Sequence, residues 1–105
     1  MDLMLFHNKL YVDDEISKQK KKIMRKLQHN KETFGVYVIT LSMNPEDELD
    51  IYPSYVLRQK EYINKDINVV GIAGDRERAM ELLVKMTDDC FNEMGTISFR
   101  RFFRL

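Results

Sequence analysis

The side chains with the most obvious chemical potential are cationic. Residues 16–31 hold Lys18, Lys20, Lys21, Lys22, Arg25, Lys26 and Lys31, and no acid. At 100° per residue, Lys18, Lys21, Lys22, Arg25, Lys26 and His29 share one arc of a helix, which could neutralise several phosphates of a nucleic acid. No aromatic residue is interleaved with them, so bases would not stack there. The plainer reading is a solvated face, partly balanced by the acids of 13–15 and 46–50. The tail FRRFFRL mixes Arg100, Arg101 and Arg104 with aromatics. That mix suits single-stranded nucleic acid or a membrane surface, or else an edge strand whose arginines discourage aggregation.

A second constellation is the turn Gly71-Ile72-Ala73-Gly74-Asp75. Backbone N–H groups between a strand and a helix can hold an anion. The turn is neither a dinucleotide fingerprint nor a P-loop, and Asp75 and Glu77 put negative charge where a phosphate would sit. The plainer reading is a tight turn with Asp75 as helix cap. If the two strong apolar runs, 34–41 and 67–74, are parallel neighbouring strands, their carboxyl ends gather Ser42, Asn44 and Asp75. Asn44, Gly74 and Asp75 are then ligand-binding candidates by analogy with open α/β sheets. Tyr52, Tyr55 and Tyr62 at helical spacing, with Gln59, Arg58 and Tyr37, could line such a pocket, though core or interface is the commoner use.

Conventional catalysis finds little support. His7 falls in a turn between LMLF and LYV, and His29 on the charged face. Neither has a neighbouring serine or cysteine, so no triad is assigned. Cys90 lies on the apolar side of a helix, where thiols are inert. No Cys/His spacing suits zinc, and the acids of 46–50 lack the ordered loop of a calcium site. Lys20 interrupts the apolar stripe of Ile16, Ile23, Met24 and Leu27, its stem packing and its ammonium reaching water. No catalytic residue, metal or cofactor is assigned, and enzymatic activity is left open.

The elements that must position these groups follow from hydrophobic patterning. FGVYVITL (34–41) and INVVGIAG (67–74) read as buried strands. Residues 13–31 read as a helix with acids first and cations last. Asn44 and Pro45 would cap a short acidic helical turn, and a second helix would start at Pro53, with Tyr52, Tyr55, Val56, Gln59, Tyr62 and Ile63 facing inward. Residues 75–94 form the clearest helix, ended by Gly95. Its apolar arc spans about 200°, against roughly 100° for a simple surface helix. Met80, Val84 and Phe91 are therefore assigned to an interface with another subunit. The tail from Thr96 alternates like a strand. The expected fold is a small single-domain α/β protein. Its sheet has three or four strands with a central parallel βαβ unit, a right-handed crossover between the two strong strands, and helices packed on it.

The chain has 105 residues, 44% of them apolar and 32% charged, which fits one globular domain. Seventeen cations balance seventeen acids, but the charges are segregated along the chain. No apolar run approaches the roughly 18 residues of a membrane span, and MDLMLF lacks a basic n-region, so neither membrane nor signal peptide is expected. One cysteine cannot form an internal disulfide, which points to a reducing cytoplasm.

The stretches LYVDDEISKQKKKIMRKL (10–27), ELDIYPSYVLRQKEY (48–62) and INVVGIAGDRERAMELL (67–83) resemble those of a family of small uncharacterised bacterial proteins of the Clostridia type. The resemblance implies a small intracellular α/β domain and carries no activity or site residue with it. The leading functional expectation is a non-enzymatic, self-associating interaction or regulatory module, a homo-oligomer with no protein partner identified. The alternatives are a nucleic-acid-binding accessory protein using the first helix, and a small-molecule binder or enzyme at the strand carboxyl ends.

Overall fold

The computed structural model describes residues 4–44, 46–59 and 66–104. Strand β1 (Met4–Val12) leads through a 3-10 helix (Asp14–Gln19) into α1 (Lys20–Gln28). Strands β2 (Tyr37–Leu41) and β3 (Leu49–Pro53) follow, then a second 3-10 helix (Ser54–Arg58) and strand β4 (Ile67–Ala73). The long helix α2 (Arg76–Met94) and the one-turn α3 (Phe99–Phe102) complete the order. The result is an α/β domain with a four-stranded mixed sheet of order β1-β4-β2-β3.

The uncharged, β-branched run INVVGIA makes β4 a central strand, buried on both faces. Its parallel partner is β1, not β2. The two strong runs are neighbours, but they pair antiparallel, with Tyr37 opposite Ala73. The expected parallel pairing between them is therefore corrected. The reason lies in residues 49–53, read from sequence as part of a lead-in to a helix. They form β3, which folds back on β2 as an antiparallel hairpin strand. That strand adds a chain reversal that periodicity alone did not reveal.

Three further expectations are corrected. Glu46 and Asp47 sit in the β2–β3 turn rather than in a helix, held by the Asp47 N–H on the Asn44 carbonyl (3.0 Å). Tyr52 lies on β3 and Tyr55 is 62% exposed, so no inward tyrosine stripe forms among the described residues; Pro45, Tyr62 and Ile63 lie outside them. The tail is helical where a strand was expected. Phe99, Phe102 and Phe103 are spaced i, i+3, i+4, and all three are buried.

Helices cover both faces of the sheet. Ile39, Val70, Met86, Cys90 and Phe103 pack on the α2 side, and Val38, Val69, Ile72, Ile23 and Leu27 on the α1 side. Each fully buried side chain of this kind stabilises by roughly 1.5–3 kcal/mol. The register of β2 against β4 skips Val70, a bulge that puts Val70 and Gly71 together on the α2 side. Gly71 lets the helix approach closely, because a Cβ there would lie 2.7 Å from Met86 Cε. The caps of α2 are as expected: the Asp75 carboxylate accepts the Arg78 N–H at 2.8 Å, and Gly95 ends the helix at φ +73°.

Candidate functional site

The wide apolar arc of α2 divides between two environments. Ala79, Met86 and Cys90 face the sheet and are buried. Met80 (42% exposed), Val84 (62%) and Phe91 (55%) face away from it, and Ile97 beyond Gly95 adds to the exposed apolar surface. Met80, Val84, Thr87 and Phe91 are spaced four, three and four residues apart, which keeps them in one stripe of the coiled-coil kind. The Thr87 hydroxyl donates to the Leu83 carbonyl at 2.8 Å, so the polar member of the stripe is satisfied within its own helix. A depression lined by Thr87, Asp88, Phe91, Asn92 and Ile97 lies at the C-terminal end of this stripe.

Lys18, Lys21, Lys22 and Arg25 are exposed and Lys26 is half-buried. Among the described residues none of these five forms an ion pair; all the ion pairs involve Arg78. The tail does not extend this basic face, since α3 packs on the α2 side of the sheet while α1 packs on the other. Arg100 is committed elsewhere, donating to the carbonyls of Ser42 (2.6 Å) and Asp47 (3.0 Å) in the β2–β3 turn. Glu48 of that turn accepts the Phe99 N–H at 2.8 Å. The turn therefore anchors α3 and is not a counter-charge to α1.

The strand-end crevice does not assemble. Gly74 and Asp75 follow the end of β4, beside the start of β2, whereas Asn44 lies beyond the opposite end of β2. The length of β2 alone separates them by roughly 13 Å. A buried carboxylate already occupies the place an anion would take. Asp13 Oδ2 accepts the Gly74 N–H at 3.1 Å, and Asp13 Oδ1 accepts the Glu15 N–H at 3.1 Å. Arg78 lies 3.5 Å from Asp13, pairs with Glu15, and reaches Asp75 at 3.9 Å. Partial desolvation would lower the Arg78 pKa, but the facing carboxylates, Glu15 foremost, outweigh it and raise the value. A Cβ on Gly74 would meet Ile16 Cγ2 at 3.0 Å. Gly74 and Asp75 thus serve a tight turn and a cap.

Sequence reasoning missed the part played by His7. It stands in β1, where Phe6 pairs with Val69 and Tyr11 with Gly71: five steps along β1 match two along β4. The extra residues bow outward, and His7 ties the bow at both ring nitrogens. Its Nδ1 accepts the Lys9 N–H at 2.9 Å, and its Nε2–H donates to the Phe103 carbonyl at 2.6 Å. The partners fix the tautomer. The polar triplet between LMLF and LYV was the available signal, and it marks a bulge rather than a turn.

Tyr11, just past the bow, donates to the Asp89 carboxylate at 2.6 Å. Burial, then that hydrogen bond, push its phenol well above the ordinary value. Cys90 is fully buried, in keeping with an inert thiol. Among the described residues no group of three or more His, Cys, Asp or Glu is placed to hold a metal ion, and no helix is long and apolar enough to cross a membrane. No protein-family model matches the chain, and no curated protein or solved structure is similar to it.

Proposed function

We propose that the chain is a self-associating interaction module whose copies pair through the outer face of α2. The observation that carries this reading is the exposed stripe of Met80, Val84 and Phe91. A two-fold axis crossing α2 between Lys85 and Met86 would set Met80 against the partner's Phe91 and Val84 against the partner's Thr87. The stripe is thus self-complementary, which is what a closed dimer requires. Few apolar side chains contribute per copy, so the association is expected to be weak, with Kd on the order of micromolar. The unpaired, buried Cys90 suits a reducing compartment such as the cytoplasm.

Light scattering on the 12.6 kDa chain tests this directly. The native protein should approach twice the monomer mass at tens to hundreds of micromolar, and Val84→Glu and Phe91→Glu should return it to monomer while the chain keeps its native circular dichroism. A monomer throughout that range, or a dimer indifferent to both substitutions, would contradict the proposal.

A second reading is favoured by one observation, the five α1 cations that lack an ion pair among the described residues. It holds that α1 binds a polyanion such as nucleic acid. Binding should then weaken steeply with salt, and should vanish when Lys21, Lys22 and Arg25 are changed to Glu. No binding at low salt would leave α1 a solvated face.

A further inference from the structure

We propose that the cleft beside the bow in β1 binds a small organic anion, with its carboxylate or phosphate held by Lys9, Arg104 and Asn68 and its apolar body resting on Leu5 and Phe102. The cleft has a volume of about 560 Å³, within the usual range for ligand pockets. It opens between β1, β4 and the end of α3, away from the outer stripe of α2 and on the other face of the sheet from α1.

Charge selects the class of ligand. Lys9 and Arg104 line the cleft together with His7, and no aspartate or glutamate is among its described lining residues. Neither Lys9 nor Arg104 has an ion-pair partner among the described residues. The Lys9 ammonium is already placed, 5.1 Å from the centre of the Phe102 ring. Arginine offers the planar donor fork that matches a carboxylate or phosphate.

Asn68 supplies a second and independent pointer. It sits half-buried in β4, a strand otherwise made of buried aliphatic residues and Gly71. It lines the cleft, and its side-chain amide opens to solvent there rather than being buried without a partner. Such an amide is free to take a hydrogen-bond partner from the cleft. A ligand head in the cleft would give it one.

The walls are built to hold their shape. The bow of β1 is pinned by His7 at both ring nitrogens, and the His7 ring meets Phe103 edge-on at 4.8 Å. Bulges at sheet edges often re-aim side chains in this way next to binding sites. Arg104 adopts φ +60°, the left-handed backbone where glycine is the ordinary choice after a helix. An arginine there carries a conformational penalty that its placement at the cleft would explain. The apolar floor also separates this site from α1, whose cations lack one.

The test is an NMR titration of the full chain with phenyl phosphate and benzoate. Inorganic phosphate and benzyl alcohol serve as probes that carry only the head or only the body. At least one organic anion should give saturable shifts at the Asn68 side-chain amide, His7 and Arg104. Its binding should be about tenfold or more tighter than that of either single-feature probe. Lys9→Glu and Arg104→Glu, both at the surface, should abolish those shifts while leaving the spectrum folded. Arg104→Gly should raise Tm, since glycine suits the left-handed backbone, while weakening binding. Shifts that fail to saturate, that concentrate on the α1 lysines or the α2 stripe, or that survive in Arg104→Glu would overturn the proposal. So would inorganic phosphate binding as tightly as the organic anions.

Discussion

Asp13 ties the end of β1 to the turn after β4, and it does so across 61 residues of sequence. Only 5% exposed, it satisfies two backbone N–H groups that follow the ends of strands, and it faces Arg78. Asp13→Ala should destabilise the fold by about 1–3 kcal/mol, since two partly buried N–H groups lose a charged acceptor. Asp13→Asn, which keeps an acceptor, should lose about half of that; urea denaturation measures both. Tyr11 makes the complementary prediction in alkali. Its phenol pKa is raised in the folded state, so the associated stability is fully present below the unfolded value of about 10. As pH rises beyond that, the unfolded chain releases the proton first and stability falls. Tyr11→Phe should therefore be the less stable protein at pH 7 and should lose stability less steeply above pH 10 than the native chain. Parallel slopes for the two proteins would contradict the hydrogen bond to Asp89. The Asp75 and Gly95 caps were legible in the sequence because their signals are local. Asp13 was not, because its partner Gly74 is remote and only the fold brings the two together.

At the scale of elements, the two strong strands and α2 were readable because each is long and strongly patterned. Their mutual direction was not, because it depends on β3, five residues whose alternation is interrupted by Pro53 and which pack only half-buried at the sheet edge. The tail misled for a related reason. In FRRFF the residues at period two and those at i, i+3, i+4 overlap, and the burial of Phe99, Phe102 and Phe103 against the sheet decides for the helix. The contact between α2 and β4 makes a sharper test of packing. Gly71 faces Met86 and Ile39, with Met86 fully buried and unable to swing into solvent. Gly71→Ala should cost about 1–3 kcal/mol through overpacking. Adding Met86→Ala to make room should recover part of that loss, so the two effects would be non-additive in thermal melts. A neutral Gly71→Ala would mean that the helix does not sit as close to the sheet as described.

For the whole molecule, the sheet separates two unlike outer surfaces. Helix α1 carries five cations and no acid, while α2 carries three cations and five acids around an apolar stripe. The zero net charge of the chain therefore hides a molecule with distinct faces. The apolar stripe was visible in the sequence as an arc too wide for one-sided packing, and the structure leaves its outer half exposed. The cleft at His7 was not visible, since it takes the bow of β1, Asn68 of β4 and Arg104 after α3, which meet only in the folded chain. Self-association through α2 is the central claim. The most direct measurement is an isotope-filtered NOE experiment on a mixture of differently labelled copies, at a concentration where the mass is doubled. Intermolecular contacts are expected between the Met80 methyl of one copy and the Phe91 ring of the other. A doubled mass with intermolecular contacts from α1 or the sheet edges instead, or no doubling of mass at all, would contradict the claim.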